Sequence, residues 1–417
     1  MKITRVRALE ILDSRGNPTV QAEVWLDNGI RASAQAPSGA STGTHEAVEL
    51  RDLDPHRHGG RGVLQAVRNV EQVLGPSIEG MDAMDQNSVD ARLLAIDGSE
   101  NKARLGANAI LAVSCAVARV AAQALGIPLW KHLAGDRNAR LPVPMVNIIS
   151  GGLHADAGGQ GRQLEFQDFL VIPRGYPDLA SALEAIVRVH RMTGQLLAER
   201  GHLLTGVADE GGWGPRLATN EQAAALLREA IGKAGVEMDI ALDVASTHFF
   251  HAGQYRLEGG SRNAAGMADL LEAWIERYGV TSIEDPLAED DWAGWQAMTA
   301  RLGKRVRLVG DDLFVTNPLR LDRGIEEGVA NAVLVKMNQI GTLTETFEVI
   351  DQARQAGYGA VISARSGETE DSFLADLAVA SGAGQIKIGS VTRSERLAKY
   401  NRLLEIEKWE LPAPPNP

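Results

Sequence analysis

The sequence predicts an α/β protein: a β/α barrel preceded by a smaller N-terminal α+β capping domain. Three observations predict it. Acidic residues close short apolar runs in the second half of the chain: Asp243 after 238–242, Glu284 after 280–283 and Asp311 after 306–310, with gaps of 41 and 27 residues. Basic residues continue the series: Lys336 closes 332–335, Arg365 closes 360–364, and Lys387 lies in Gln385-Ile386-Lys387-Ile388-Gly389, with gaps of 25, 29 and 22 residues. A strand, a return helix and two turns take roughly 25–40 residues, so these polar groups share the C-terminal face of a barrel, where barrel enzymes keep their chemistry. The third observation is a change of pattern near residue 135, from strand alternation and helical periodicity to strand–helix alternation.

The elements follow in order. Ile3, Val6 and Ala8 lead into the turn cluster Asp13-Ser14-Arg15-Gly16-Asn17-Pro18. Residues 19–26 alternate with period two, Asp27-Asn28-Gly29 signals a hairpin, and 30–36 follow as a third strand, which makes an antiparallel meander. Val63, Ala66, Val67, Val70, Val73 and Leu74 mark an amphipathic helix, and 89–96 and 107–125 mark two more. These complete an N-terminal domain over residues 1–135, with 136–140 as linker and the catalytic barrel over 141–417. Two apolar runs, 143–149 and 166–173, leave no room for a helix between them, so the barrel begins irregularly. A long helix over 179–199 precedes the regular units, and the Pro-rich tail 411–417 is expected to be extended or disordered.

Bulk composition excludes several classes. Of 417 residues, 44% are hydrophobic and 23% charged, which is ordinary for a globular enzyme. The net charge of −12, without a long basic cluster, argues against nucleic acid and anionic membrane surfaces as partners. The single cysteine, Cys115, sits in an apolar run and reads as a small buried hydrophobe. One cysteine excludes an internal disulfide and suits a reducing compartment, so a cytoplasmic protein is expected. The longest apolar segment, 107–125, carries Asn108, Ser114, Arg119 and Gln123 and reads as a core helix rather than a membrane span.

Nearly the whole chain resembles enolase. The resemblance is carried by Asp13-Ser14-Arg15-Gly16-Asn17-Pro18-Thr19-Val20, Ser38-Gly39-Ala40-Ser41-Thr42-Gly43, Asp209-Glu210-Gly211-Gly212, Ser282-Ile283-Glu284-Asp285, Gly310-Asp311-Asp312-Leu313, Asn338-Gln339-Ile340-Gly341 and Arg365-Ser366-Gly367-Glu368. It implies an enolase-type barrel and a lyase that removes the α-proton of 2-phosphoglycerate and expels the β-hydroxide, giving phosphoenolpyruvate. It also implies Mg²⁺, two ions per active site with the second bound alongside substrate, and a homodimer or higher homo-oligomer. By residue-for-residue match, Asp243, Glu284 and Asp311 are the metal ligands, and Ser41, on a closing loop, serves the second ion. Lys336 is the base and Lys387 its partner, whose positive charge should depress the base's pKa. Arg365 and Ser366 grip the phosphate, Glu210 protonates the leaving hydroxide, and His154 and Asp168 complete that side. Read without the resemblance, the three acids could cap barrel helices, and His154 could be a solvated loop histidine.

The chain departs from the family at several points. Ala364 stands where the family has histidine in Ser-His-Arg-Ser-Gly-Glu. Asp168 replaces the glutamate of Gln-Glu-Phe, and His248 replaces a usual glutamate. The loop from His154 to Asp168, with Ala157-Gly158-Gly159-Gln160-Gly161-Arg162-Gln163, is longer than the family's. The groups for metal, base and phosphate are complete, while the leaving-group side is altered. This pattern points to a specialised paralogue. One candidate is a carboxyphosphonoenolpyruvate synthase-like transferase that takes a nucleotide-activated phosphonoformate as second substrate. The competing readings are a housekeeping enolase and a non-catalytic scaffold on the same frame.

Overall fold

The computed structural model describes residues 1–39, 43–155, 164–202, 204 and 206–411. Ser41, the loop stretch 157–163 and the tail from 412 onward therefore lie outside the described residues.

Three antiparallel strands open the chain: β1 (Ile3–Leu12), β2 (Pro18–Leu26) and β3 (Arg31–Gln35). The period-two pattern of β2 sends Val20, Ala22, Val24 and Leu26 into the core, where helix Ala107–Leu125 packs on β2 and β3. That helix is buried on nearly every side, which explains its apolarity without a membrane. Cys115 on it is buried and free. Burial pushes its thiol pKa well up, so it is no nucleophile.

Eight strands close the barrel. In barrel order these are β4 (Val143–Ser150), β5 (Asp168–Pro173), β6 (Met238–Asp243), β10 (Val280–Glu284), β11 (Arg307–Gly310), β12 (Ala332–Val335), β13 (Gly359–Ser363) and β14 (Gly384–Gly389). Strand β5 runs antiparallel to both β4 and β6, and every other neighbouring pair is parallel. The apolar runs 143–149 and 166–173 are thus two directly paired strands, which is why no helix fits between them. Between β6 and helix Ala264–Tyr278 the chain makes a small separate sheet, β7 (Phe250–His251), β8 (Gln254–Leu257) and β9 (Gly260–Arg262). The sequence reading had not separated this sheet.

The core has two layers. Met145, Leu170, Ile172, Ala241, Val309, Ala332, Leu334 and Val361 fill the barrel interior, and a larger cluster lies between the strands and the surrounding helices. The N-terminal sheet is tied to the barrel mouth by reciprocal backbone bonds between Ser38 and Gly367, of 2.8 and 2.9 Å. Arg119 on the buried helix reaches Ser33 O and both carboxylate oxygens of Asp371.

Candidate active site

Strand geometry positions the polar groups. Side chains alternate across a strand, so Asp243 shares the inward face with Ala241 and Asp311 shares it with Val309. Asp243 and Glu284 are the last residues of β6 and β10. Asp311 and Lys336 follow β11 and β12 directly, and Arg365 lies two residues past β13. Lys387 falls within β14 rather than at its end.

At the mouth the lysines and acids interleave. Lys387 Nζ donates to Asp243 Oδ2 at 2.7 Å and to Glu284 Oε2 at 2.6 Å. Lys336 Nζ donates to Asp311 Oδ2, and Gln339 Nε2 donates to Asp311 Oδ1 at 3.0 Å. Gln167 Nε2 donates to Asp243 Oδ2 at 3.2 Å. Asp243, Glu284, Asp311 and Lys387 are buried, and Lys336 is partly buried at their edge. Three carboxylates against two ammonium groups leave surplus negative charge, which falls on Glu284. Burial and the neighbouring Asp243 push its pKa well above the carboxylate range, against the pull of Lys387. Burial also works against Asp311, but the charge and hydrogen bond of Lys336 hold it below the usual value.

The expected depression of the Lys336 pKa is not what this arrangement gives. Burial and Arg365 lower it, yet the Asp311 carboxylate outweighs them and the pKa rises. Lys387 is likewise held well above its usual value, because Asp243 and Glu284 outweigh its burial. Contact with a carboxylate dominates over the more distant like charge.

The donor chemistry fits a divalent cation: hard carboxylate oxygens in a buried layer with surplus negative charge suit Mg²⁺. Carboxylate and imidazole atoms approach within 4.8 Å of one another in two other sets, Asp285 with Asp311 and Asp312, and His154 with Asp168 and Glu210. In the first, Asp285 is already committed, since its two oxygens accept the backbone N–H groups of Asp311 at 2.9 Å and Asp312 at 2.8 Å. Asp285 thus fixes the turn that carries Asp311. Burial and the Asp311 charge raise Asp312 to about 7.

The second set forms the other wall. Asp168 is fully buried. Its Oδ1 accepts from Asn147 Nδ2 and from Ser150 Oγ at 2.9 Å, and its Oδ2 lies 2.8 Å from His154 Nδ1. His154 Nε2 lies 4.0 Å from Glu210 Oε1. Burial opposes a charged imidazole, but the Asp168 and Glu210 carboxylates overcome it and raise His154 to about 9. His154 is therefore a buried, charge-paired group and not a solvated loop histidine. His248, by contrast, is exposed on a short turn after β6.

Arg365 is buried, and among the described residues its partners include Glu46 and Asn338, which sequence reading missed. Its guanidinium donates to Glu46 Oε2 and Asn338 Oδ1, both at 3.0 Å. Glu46 also accepts from Gly43 N at 2.9 Å, which ties Arg365 to the end of the Gly-rich segment. Ser366 is buried next to it. The Ala364 side chain is buried, and its N–H donates to Lys387 O at 2.8 Å. Of the other unassigned residues, Asn338 and Gln339 lay in a matched motif, and Gln167 sits beside Asp168. Glu46 carried no signal of its own.

Comparison with known families agrees with this geometry. Residues 3–133 match the family described as the enolase N-terminal domain, and residues 138–412 match the one described as the enolase C-terminal TIM barrel domain.

Proposed function

The chain belongs to the enolase family, and on that premise we propose that it is a divalent-cation-dependent carbon–oxygen lyase acting on a phosphorylated carboxylate of the 2-phosphoglycerate type. The observation that carries this reading is the interleaving of Lys336 and Lys387 with Asp243, Glu284 and Asp311 at the barrel mouth. A scaffold protein has no use for two ammonium groups interleaved with three buried acids in one layer.

Asp243, Glu284 and Asp311 would hold Mg²⁺, and Ser41 would serve a second ion bound with substrate. The cation, when bound, offsets the charge that builds on the substrate carboxylate as the α-proton leaves. Once those acids no longer face the lysines as free counter-charges, the Lys336 ammonium loses the partner that keeps it protonated. Lys336 Nζ then takes the α-proton, and Lys387 keeps the layer electrically balanced. Arg365 and Ser366 orient the phosphate, which competes with Glu46 for the guanidinium. Glu210 delivers a proton to the departing hydroxide, with His154 and Asp168 behind it.

A second reading, a specialised paralogue with changed chemistry at the β-carbon, is favoured by Asp168 and Ala364. The Asp168 carboxylate is occupied by Asn147, Ser150 and His154, and Ala364 brings no side-chain donor to this wall. Such a site suits a second substrate, for which a nucleotide-activated phosphonoformate is the concrete candidate. One measurement tests the core reading. In Mg²⁺ and deuterated water, the protein should exchange the α-proton of 2-phosphoglycerate, and Lys336→Ala should abolish exchange while remaining folded. A wild-type protein that exchanges nothing would return the chain to a scaffold.

A further inference from the structure

Below the catalytic layer the same inward-facing stripes carry a second set of polar groups. Ser282 lies two residues before Glu284, Gln385 two before Lys387, and Arg307 four before Asp311. Strand alternation points all three into the barrel, one or two levels beneath the mouth, at about 6.6 Å per level. They line a cavity of about 500 Å³ at the N-terminal end of the barrel. Enzymes of this architecture work at the opposite face, so the proposed chemistry makes no use of this cavity.

Its electrostatics are one-sided. Arg307, Lys304 and Arg305 stand at the cavity against one lining acid, Asp239. Asp239 is drawn off by Arg174 at 3.4 Å, and Arg305 is held by Glu272 and Glu276. Among the described residues Arg307 and Lys304 have no carboxylate partner. The Arg307 guanidinium donates to the Gln385 side-chain oxygen, which leaves the Gln385 amide nitrogen as a further donor. Burial lowers the Arg307 pKa, and no neighbouring acid offsets it. The guanidinium packs over Gly359, where an added Cβ would lie 3.2 Å from Nε and 3.3 Å from Cζ, so a bare backbone makes its room. The second observation is independent. Ser282 is 2% exposed, and among the described residues its hydroxyl has no hydrogen-bond partner. A buried polar atom without a partner is costly and calls for one.

We propose that this N-terminal mouth is a binding site for a phosphate-class oxyanion, held by Arg307, Ser282 and Gln385. Planar guanidinium and hydroxyl donors around a cavity of this size are the chemistry that recognises free phosphate or the phosphate of a small ester. Strands β10, β11 and β14, which carry these three residues, also carry or lead into Glu284, Asp311 and Lys387. An anion bound below therefore grips the same strands that place the catalytic groups.

The test is titration of the full-length protein with inorganic phosphate by calorimetry, with a parallel arm of glycerol 3-phosphate to separate free phosphate from an ester. Wild type should show two components, one at Arg365 and one below. Arg307→Met should weaken the second by about ten-fold or more, and Ser282→Ala by about three-fold, the scale of losing one charged and one neutral hydrogen bond. Ser282→Ala removes a hydroxyl with no partner among the described residues, so it should fold normally and decides the matter if Arg307→Met does not. Arg365→Met should abolish the other component alone. Phosphate and ester isotherms unchanged by both Ser282→Ala and Arg307→Met, or a single component lost entirely with Arg365→Met, would overturn the proposal. No catalytic assay enters, so failure here leaves the lyase reading standing.

Discussion

Lys387 stands between Asp243 and Glu284, while Lys336 bonds to Asp311, with Glu284 and Glu46 acting on it from farther off, and this division decides what each substitution should do. Asp311→Asn removes the carboxylate bonded to the Lys336 ammonium and one of the three acids suited to the cation. Turnover should fall by at least about 100-fold, the scale of losing one preorganised charge at a reacting centre, and Mg²⁺ affinity should fall in direct titration; normal turnover in excess chelator would refute the assignment. On the opposite wall, Ala364→His with Asp168→Glu should raise phosphoenolpyruvate formation by about ten-fold or more, within the range a positioned acid contributes. Absorbance at saturating Mg²⁺ measures it. The Asp168→Glu change also adds a methylene to a fully packed position and should cost about 1–3 kcal/mol of stability. A wild-type rate already at about 1–1000 per second would instead mark a housekeeping enzyme. Asp243, Glu284, Asp311 and Lys336 were readable because each ends an apolar run, and Lys387, inside its strand, because it continues their spacing. Glu46 was not, since nothing in its local sequence shows that Arg365, more than 300 residues away, will meet it.

Helices and strands meet most tightly around Phe314. Its ring lies between Gly310 of β11 and Gly324 of helix Pro318–Glu327. A Cβ on Gly310 would come within 2.6 Å of the ring, and one on Gly324 within 2.4 Å. Phe314 is fully buried and cannot retreat. Gly324→Ala should therefore destabilise by about 1–3 kcal/mol in denaturant unfolding, with activity per folded molecule unchanged. Gly310→Ala should cost activity as well, because Asp311 is the next residue. At this scale the regular units were legible from the apolar periods, but two features escaped. The turns of the small sheet are Ala252-Gly253 and Glu258-Gly259, all with positive φ. They are hairpin turns without the Asn-Gly signature that makes such turns easy to read. Asp168 escaped the strand-end rule because β5 runs backwards, so the strand's first residue faces the mouth.

At the scale of the molecule, the N-terminal domain and the barrel meet through buried ion pairs. Arg365 with Glu46 is one and Arg119 with Asp371 another, and Asp371 also accepts the backbone N–H groups of Gln35 and Phe373 at 3.0 and 2.9 Å. Arg119→Leu would leave that carboxylate buried without a counter-charge, at a cost of about 3–5 kcal/mol in urea unfolding. A loss below about 1 kcal/mol would show that the seam rests on apolar packing instead. The two partners lie 252 positions apart, and neither belongs to a local pattern, so this seam could not be read from sequence. The reversed strand has a further consequence. Because β4 and β5 pair directly, the chain leaves and re-enters the barrel at the same end, and the connection between them never has to span its height. Its length is thus uncoupled from barrel closure, and doubling it would cost only about 0.6 kcal/mol in loop entropy. The connection from β5 to β6 likewise starts and ends at one end, the one opposite the mouth, while every connection between parallel neighbours must cross the barrel's height. At the mouth, the segment between β4 and β5 is where this fold can acquire new sequence without being rebuilt.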